Sequence, residues 1–245
     1  MRLHMTVYAR AKAVMDSDEP QSRLDITAAH VLALLERFPL LYREAWVKPS
    51  NKVSPFAWSG FDVGGGWLGI VERLSAKLAA DPTIHISQLK ASRGRLTVYF
   101  SPREDSTIST LGEDELHRTV DEAGDESERT CEVCGEPGTN EMRAHAVTVR
   151  CEPCYWLDDI VEACIRIVEC IGGMDLAAFF ASRMYLDATK RHIQHIGEAS
   201  MNQSPRSRAR FPSIDWESLD RVMSEKPSRG FWHEFAKMRS LNLHA

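Results

Sequence analysis

Long apolar runs are missing from this 245-residue chain: no segment approaches the roughly 18 consecutive apolar residues of a membrane-spanning helix. An excess of basic charge is missing too. Thirty Lys and Arg face 35 Asp and Glu, a formal net charge of -5, so no global field draws the chain to nucleic acid or anionic membrane. The opening residues Met1-Arg-Leu-His-Met-Thr-Val-Tyr8 lack the apolar stretch of a secretory signal, and the expected compartment is cytoplasmic. The run Gly64-Gly65-Gly66 is not followed by Gly-Lys-Ser/Thr, which excludes a phosphate loop; it calls for flexible or left-handed backbone. No internal repeat is visible. Cysteines number only six. In a cytosolic protein, closely spaced pairs of them point to metal ligands or redox groups before disulfides.

What is present suits a globular protein, with 43% hydrophobic and 27% charged residues. Residues 1–24 read as an N-terminal tail that ends in Asp16-Ser-Asp-Glu-Pro20. Residues 25–101 read as a small α+β domain. Val31, Leu34, Leu35 and Phe38 lie on one helical face, and Pro39 interrupts that helix. Residues 48–66 read as an ordered loop with Trp58, Phe61 and Trp67 as aromatic anchors. A second helix is predicted over 67–80, with Leu68, Val71, Leu74 and Leu78 inward, and a strand pair over 83–100 around Ser92-Arg-Gly94. Residues 102–130 carry ten acidic residues against three basic ones and read as a solvated linker, mobile or helical.

The cysteines that carry chemistry follow. Cys131-Glu-Val-Cys-Gly135 and Cys151-Glu-Pro-Cys154 give the spacing C-x2-C-x16-C-x2-C. Two cysteines separated by two residues around a tight turn aim both sulfurs at one centre, and two such turns supply the four thiolates of a tetrahedral structural zinc site with no open position. Cys131, Cys134, Cys151 and Cys154 are therefore the expected metal ligands, zinc is the expected cofactor, and residues 131–155 are read as a zinc ribbon. Cys164 and Cys170 fall outside this set, as core or half-exposed thiols.

From residue 156 the pattern is helical. Ile160, Cys164, Ile167 and Ile171 keep helical spacing, with Asp158 or Asp159 as N-cap. Asp175 caps a further helix, residues 183–202 continue with Leu186, Ile193 and Ile196 inward, and Phe211-Pro-Ser-Ile-Asp-Trp216 forms a turn and cap. A last helix is predicted from Phe231 to Leu243. Arg206, Arg208 and Arg210 form a basic cluster that would suit RNA phosphate. His192 and His195 sit three apart on one helix without an evident third ligand, which points to a surface or interface role.

Two resemblances follow from these segments. Phe38-Pro-Leu-Leu41, Gly60-Phe-Asp-Val-Gly64, Gly66-Trp-Leu-Gly-Ile70, the segment from Gln88 to Tyr99 and Cys131-Glu-Val-Cys-Gly-Glu-Pro-Gly138, in that order, resemble a family of uncharacterised bacterial and phage proteins that end in a zinc ribbon. That resemblance supports the zinc site and implies no activity. Asp159-Ile-Val-Glu-Ala-Cys-Ile-Arg-Ile167, Asp175-Leu-Ala-Ala-Phe-Phe180, Ile193-Gln-His-Ile-Gly-Glu-Ala199, Ser204-Pro205, the segment from Arg208 to Trp216 and Met238-Arg239 resemble the HepT-like toxins, a subset of the HEPN helical ribonucleases.

The second resemblance implies that residues 156–245 form an all-α HEPN-like helical bundle. It further implies a homodimer held in check by a nucleotidyltransferase antitoxin. Its chemistry would be metal-independent RNA cleavage by an Arg-x4-His-x-Tyr motif. Arg239 and His244 match the Arg and His; the Tyr would fall at 246, so the helical domain reads as incomplete at its C-terminus and its site as degenerate. At i and i+5 the two side chains lie about 140° apart on one helix. The Arg would hold a phosphate and the His would move protons at the ribose 2′-OH and the leaving oxygen. The alternative expectation is a non-catalytic zinc-binding interaction protein.

Overall fold

The computed structural model describes residues 5–16, 26–50, 55–102, 112–143, 146–172 and 174–224. The chain divides into two compact units, Met1–Cys151 and Glu152–Ala245. Among the described residues no helix is long and apolar enough to cross a membrane.

The first unit mixes helices with two small sheets. Helix α1 (Val7–Met15) starts at Thr6, whose hydroxyl accepts the N–H of Ala9. It buries Val7 and Ala11 and packs on α2 (Ala28–Arg37), so the expected tail contains a structural element of the core. Phe38 ends α2 one residue before Pro39, as the restriction on pre-proline residues requires. A short helix, α3 (Pro55–Ser59), and a two-residue strand, β1 (Phe61–Asp62), lie within the segment read as a loop. Phe61 and Phe56 close on Tyr42 in an aromatic cluster with ring centroids 4.9–5.4 Å apart. The Tyr42 hydroxyl meets Ser75 Oγ at 2.6 Å, which satisfies both groups in the interior, and burial pushes its pKa up.

Helix α4 (Leu68–Leu78) buries Ile70, Val71, Leu74 and Leu78. Strands β2 (Ile84–Ser92) and β3 (Arg95–Pro102) pair antiparallel, and β1 adds parallel to β2, giving the order β1-β2-β3. The turn between β2 and β3 places Arg93 and Gly94 at φ 56° and 74°, the left-handed region that a tight hairpin requires. Ile84, His85 and Ile86 are all buried at the start of β2, before the register shift between Ile86 and Gln88.

The acidic stretch contains α5 (Glu113–Ser127), which packs against α4 and β3. Leu116, Ala123 and Ser127 form its buried side. Its carboxylates are matched to cations on the elements beneath: Arg95 Nη1 lies 2.5 Å from Asp125 and 3.3 Å from Glu128, Lys77 meets Glu122 at 3.3 Å, and Arg73 meets Glu126. The carboxylate of Asp125, more than that of Glu128, holds the Arg95 guanidinium above its ordinary pKa. Buried Ser127 Oγ accepts the Leu96 N–H at 2.7 Å and donates to Gly124 O, tying the helix end to β3. The linker expected over 102–130 thus holds a docked helix. Strands β4 (Thr139–Arg143) and β5 (Ala146–Arg150) form the second sheet, an antiparallel pair in register from Thr139 opposite Arg150 to Arg143 opposite Ala146.

The second unit is helical over its described residues. Helix α6 (Glu152–Ile171) packs on α8 (Arg183–Met201), which also receives α7 (Leu176–Ala181) and α10 (Trp216–Ser224). Its core gathers Ile160, Ala163, Ile167, Phe179, Ile193 and Ile196. Asp175 caps α7 by accepting the Ala178 N–H at 2.7 Å, Ser204 caps the short α9 (Pro205–Ala209), and Asp215 accepts the Ser218 N–H at 3.0 Å. Helix α6 begins six residues before the expected cap at Asp158. Pro153 lies in its first turn, where the missing N–H costs nothing. The helix predicted from Phe231 to Leu243 lies outside the described residues.

Candidate metal centre

The first cysteine turn is fixed by its own backbone. Cys131 N donates to Glu136 O at 2.8 Å, Gly135 N to Cys131 O at 2.9 Å, and Gly138 N to Arg129 O at 2.9 Å. Gly135 stands at φ 75°, so a side chain there would be strained. The two cysteine pairs are then tied together through Glu132. Its N–H donates to Val149 O at 3.0 Å, its Oε1 accepts the Val149 N–H at 2.9 Å, and its Oε2 meets Arg150 Nη1 at 3.3 Å. Both Glu132 and Arg150 side chains are only 12% exposed, so this clamp sits largely out of water, two residues before Cys151. Cys151 directly precedes α6, and Cys154 lies in that helix's first turn.

The result is a cluster. The sulfurs of Cys131, Cys134, Cys151 and Cys154 all lie within 4.8 Å of one another, with Cys134 and Cys151 3.5 Å apart. A tetrahedral ion with metal–sulfur bonds of about 2.3 Å has sulfur–sulfur edges of about 3.8 Å, so four thiolates held this closely fit such an ion with little adjustment. None of the four is in a disulfide, and three are buried: Cys131, Cys151 and Cys154. Four clustered sulfur donors that could bind a metal ion such as zinc are therefore built into the fold. Among the described residues no other group of three or more His, Cys, Asp or Glu side chains converges in this way. Among the described residues His192 and His195 belong to no such group.

No family model, curated protein or solved structure matches this chain. The functional reading therefore stands on its own residues.

The arginine cluster is not one surface with one role. Arg206 and Arg210 are exposed, but Arg208 is drawn inward. Its guanidinium grips Asp220 with both arms, Nη1 to Oδ2 at 2.6 Å and Nη2 to Oδ1 at 2.9 Å, and Nη2 also donates to Ser200 O at 2.8 Å. The guanidinium carbon stands 5.5 Å from the centroid of the Trp216 ring, and Trp216 Nε1 donates back to Arg208 O at 3.3 Å. Ser200 Oγ adds a bond to Asp220 Oδ1 at 2.8 Å. In this arrangement Arg208 locks α8, α9 and α10 together and has no fork left for a phosphate. The catalytic candidates Arg239 and His244 lie outside the described residues.

The arginine lock carries a pH signature. The Arg208 guanidinium, followed by the Ser200 hydroxyl, holds the Asp220 carboxyl below its ordinary pKa. A depressed folded-state pKa contributes stability that is present above the unfolded carboxylate value and lost as pH falls through the folded one. With both side chains a quarter to a third exposed, Arg208→Ala should cost about 1–3 kcal/mol at pH 7. Urea unfolding should show that difference shrinking as pH falls from the ordinary carboxylate value, about 4, toward the lower value of the folded Asp220. A difference that stays constant down to pH 2 would mean that lost packing, not the ion pair, sets the cost.

Proposed function

We propose that Cys131, Cys134, Cys151 and Cys154 hold one structural zinc ion in a zinc ribbon over 131–155, and that the helical unit is a HepT-like ribonuclease module of a toxin–antitoxin system. The single observation that carries the first part is the convergence of four sulfurs within 4.8 Å. When bound, zinc supplies a closed tetrahedral crosslink between the two cysteine pairs and no reactive position.

Support for the second part is of a different kind. The segments that resemble the HepT-like toxins are the ones that build the helical core. Ile193, Ile196, Gly197, Ala199 and Ser200 form the buried side of α8, and Arg208, Trp216 and their neighbours form the lock beside it. On the opposite side of α6 from its core, Val161, Ile165 and Val168 are 57%, 52% and 66% exposed at i, i+4 and i+7. An apolar stripe of this kind suits pairing with a second copy, as the toxin reading needs. In that dimer Arg239 binds the scissile phosphate and His244 transfers the proton, without a metal.

Expression in a bacterial host tests it. The full chain should arrest growth, and the purified protein should cut RNA in the presence of EDTA. Arg239→Ala and His244→Ala should each remove both effects. A harmless wild type that leaves RNA intact would overturn the nuclease reading and leave a non-catalytic zinc-binding interaction protein, the reading that the internal engagement of Arg208 favours.

A further inference from the structure

The sequence assigns the run Gly64-Gly65-Gly66 to flexible or left-handed backbone, and the structure gives Gly64 and Gly66 another reason. Gly64 has φ -69°, and neither it nor Gly66 is among the glycines with positive φ. What both lack is room. A Cβ on Gly66 would fall against the carbonyl oxygen of Cys131, 2.6 Å from the backbone N of Gly135 and 2.7 Å from that of Cys134. A Cβ on Gly64 would strike the carbonyl oxygen of Glu132. These obstacles are backbone atoms, which cannot swing aside as the end of a side chain can. The fit is reciprocal, since a Cβ on Gly135 would come within 3.0 Å of Gly66 O.

Hydrogen bonds hold the two segments together. Gly66 N donates to Glu132 O at 2.7 Å, and the indole N–H of Trp67 donates to Thr130 O at 2.7 Å. The turn over 64–67 is thus seated, backbone on backbone, on the turn that presents Cys131 and Cys134. Trp67 itself is fully buried and roots this seat in the core of the first unit.

We propose that Gly64 and Gly66 are positioning residues of the metal centre: they form an outer shell that holds the first cysteine turn in its ligating shape. Neither touches the metal. Groups that orient metal ligands from behind typically change affinity 10- to 100-fold when altered. The inference rests on the zinc assignment above and adds to it a dependence on Gly64 and Gly66, which lie far upstream of Cys131 in the chain.

The test uses the full-length, zinc-loaded chain, with zinc affinity read by competition with a chromophoric chelator and ligand geometry read from the absorption bands of the cobalt-substituted protein. Gly66→Ala should bind zinc about 10- to 100-fold more weakly and shift the cobalt bands, with its far-UV circular dichroism unchanged. Gly69→Ala is the control. It lies on α4, where a Cβ meets only the flexible end of Arg73 at 3.4 Å, and it should bind as wild type does. Should Gly66→Ala fail to fold, Trp67→Phe decides: it keeps an aromatic ring, removes the donor to Thr130, and should release zinc several-fold faster. Wild-type affinity and cobalt spectra in the folded variants, with about one zinc in wild type, would overturn the seat alone. A wild type without zinc would overturn the metal assignment, and the seat with it.

Discussion

Cys131→Ser should reduce the zinc content of the purified protein from about one ion per chain to near zero, and a strong chelator should do the same to wild type. The physical ground is that among the described residues no other His, Cys, Asp or Glu joins the four-sulfur group. The four sulfurs converge on one point, and three of them are buried, so a hydroxyl at 131 leaves a three-thiolate site with an unfilled corner in a dry environment. Metal binding to such a centre is also folding free energy, on the order of 10 kcal/mol for isolated zinc-binding peptides. Here the loss should be smaller, because the Glu132 clamp and the β4–β5 pair are made by protein groups alone. The first cysteine turn should nevertheless loosen. Metal analysis reads the stoichiometry, and hydrogen exchange should show the amides of 131–138 opening in Cys131→Ser before those of α4. Retention of a full equivalent of zinc by Cys131→Ser would remove the four-cysteine assignment.

The four-cysteine cluster was readable in the sequence because its code is local: two pairs, each separated by two residues, with a glycine where the first turn needs positive φ. The main helices and the β2–β3 pair were readable because their apolar periods run for eight residues or more. What escaped was whatever depends on distant partners. The acidic stretch containing α5 looks solvated in isolation, and its buried side offers only Leu116 as a large apolar residue. Its carboxylates make sense only once Arg73, Lys77 and Arg95 are brought beneath them by α4 and β3. Gly124, an unfavourable residue within a helix, lies against Arg95: a Cβ there would come 2.6 Å from the guanidinium, which would have to swing aside. Strand β1 is two residues long, below any periodic signal, and exists through its pairing with Leu89 and Lys90. The early start of α6 was hidden by Pro153, which reads as a helix breaker unless it sits in a first turn. Arg208 looked like one of three equal cations because nothing nearby in sequence announces Asp220, twelve residues on.

Trp67 joins both stories and carries the second large effect. Among the described residues it is the largest of the fully buried side chains, and it leads from the glycine turn into α4. Trp67→Ala should destabilise the first unit by about 3–5 kcal/mol, the range for an indole deleted from a packed interior with incomplete collapse of the cavity. Trp67→Phe should cost less, about 1–3 kcal/mol, since the ring volume is mostly kept while Thr130 O loses the donor at 2.7 Å. The two costs separate packing from hydrogen bonding, provided unfolding is followed at saturating zinc so that metal occupancy is held fixed. The ordering matters more than either value. If the phenylalanine variant proves as unstable as the alanine variant, the bond to Thr130, and with it the hold on the cysteine turn, outweighs the packing of the ring. If it is as stable as wild type, the indole N–H contributes nothing to folding, and its part in the seat is read from zinc affinity alone.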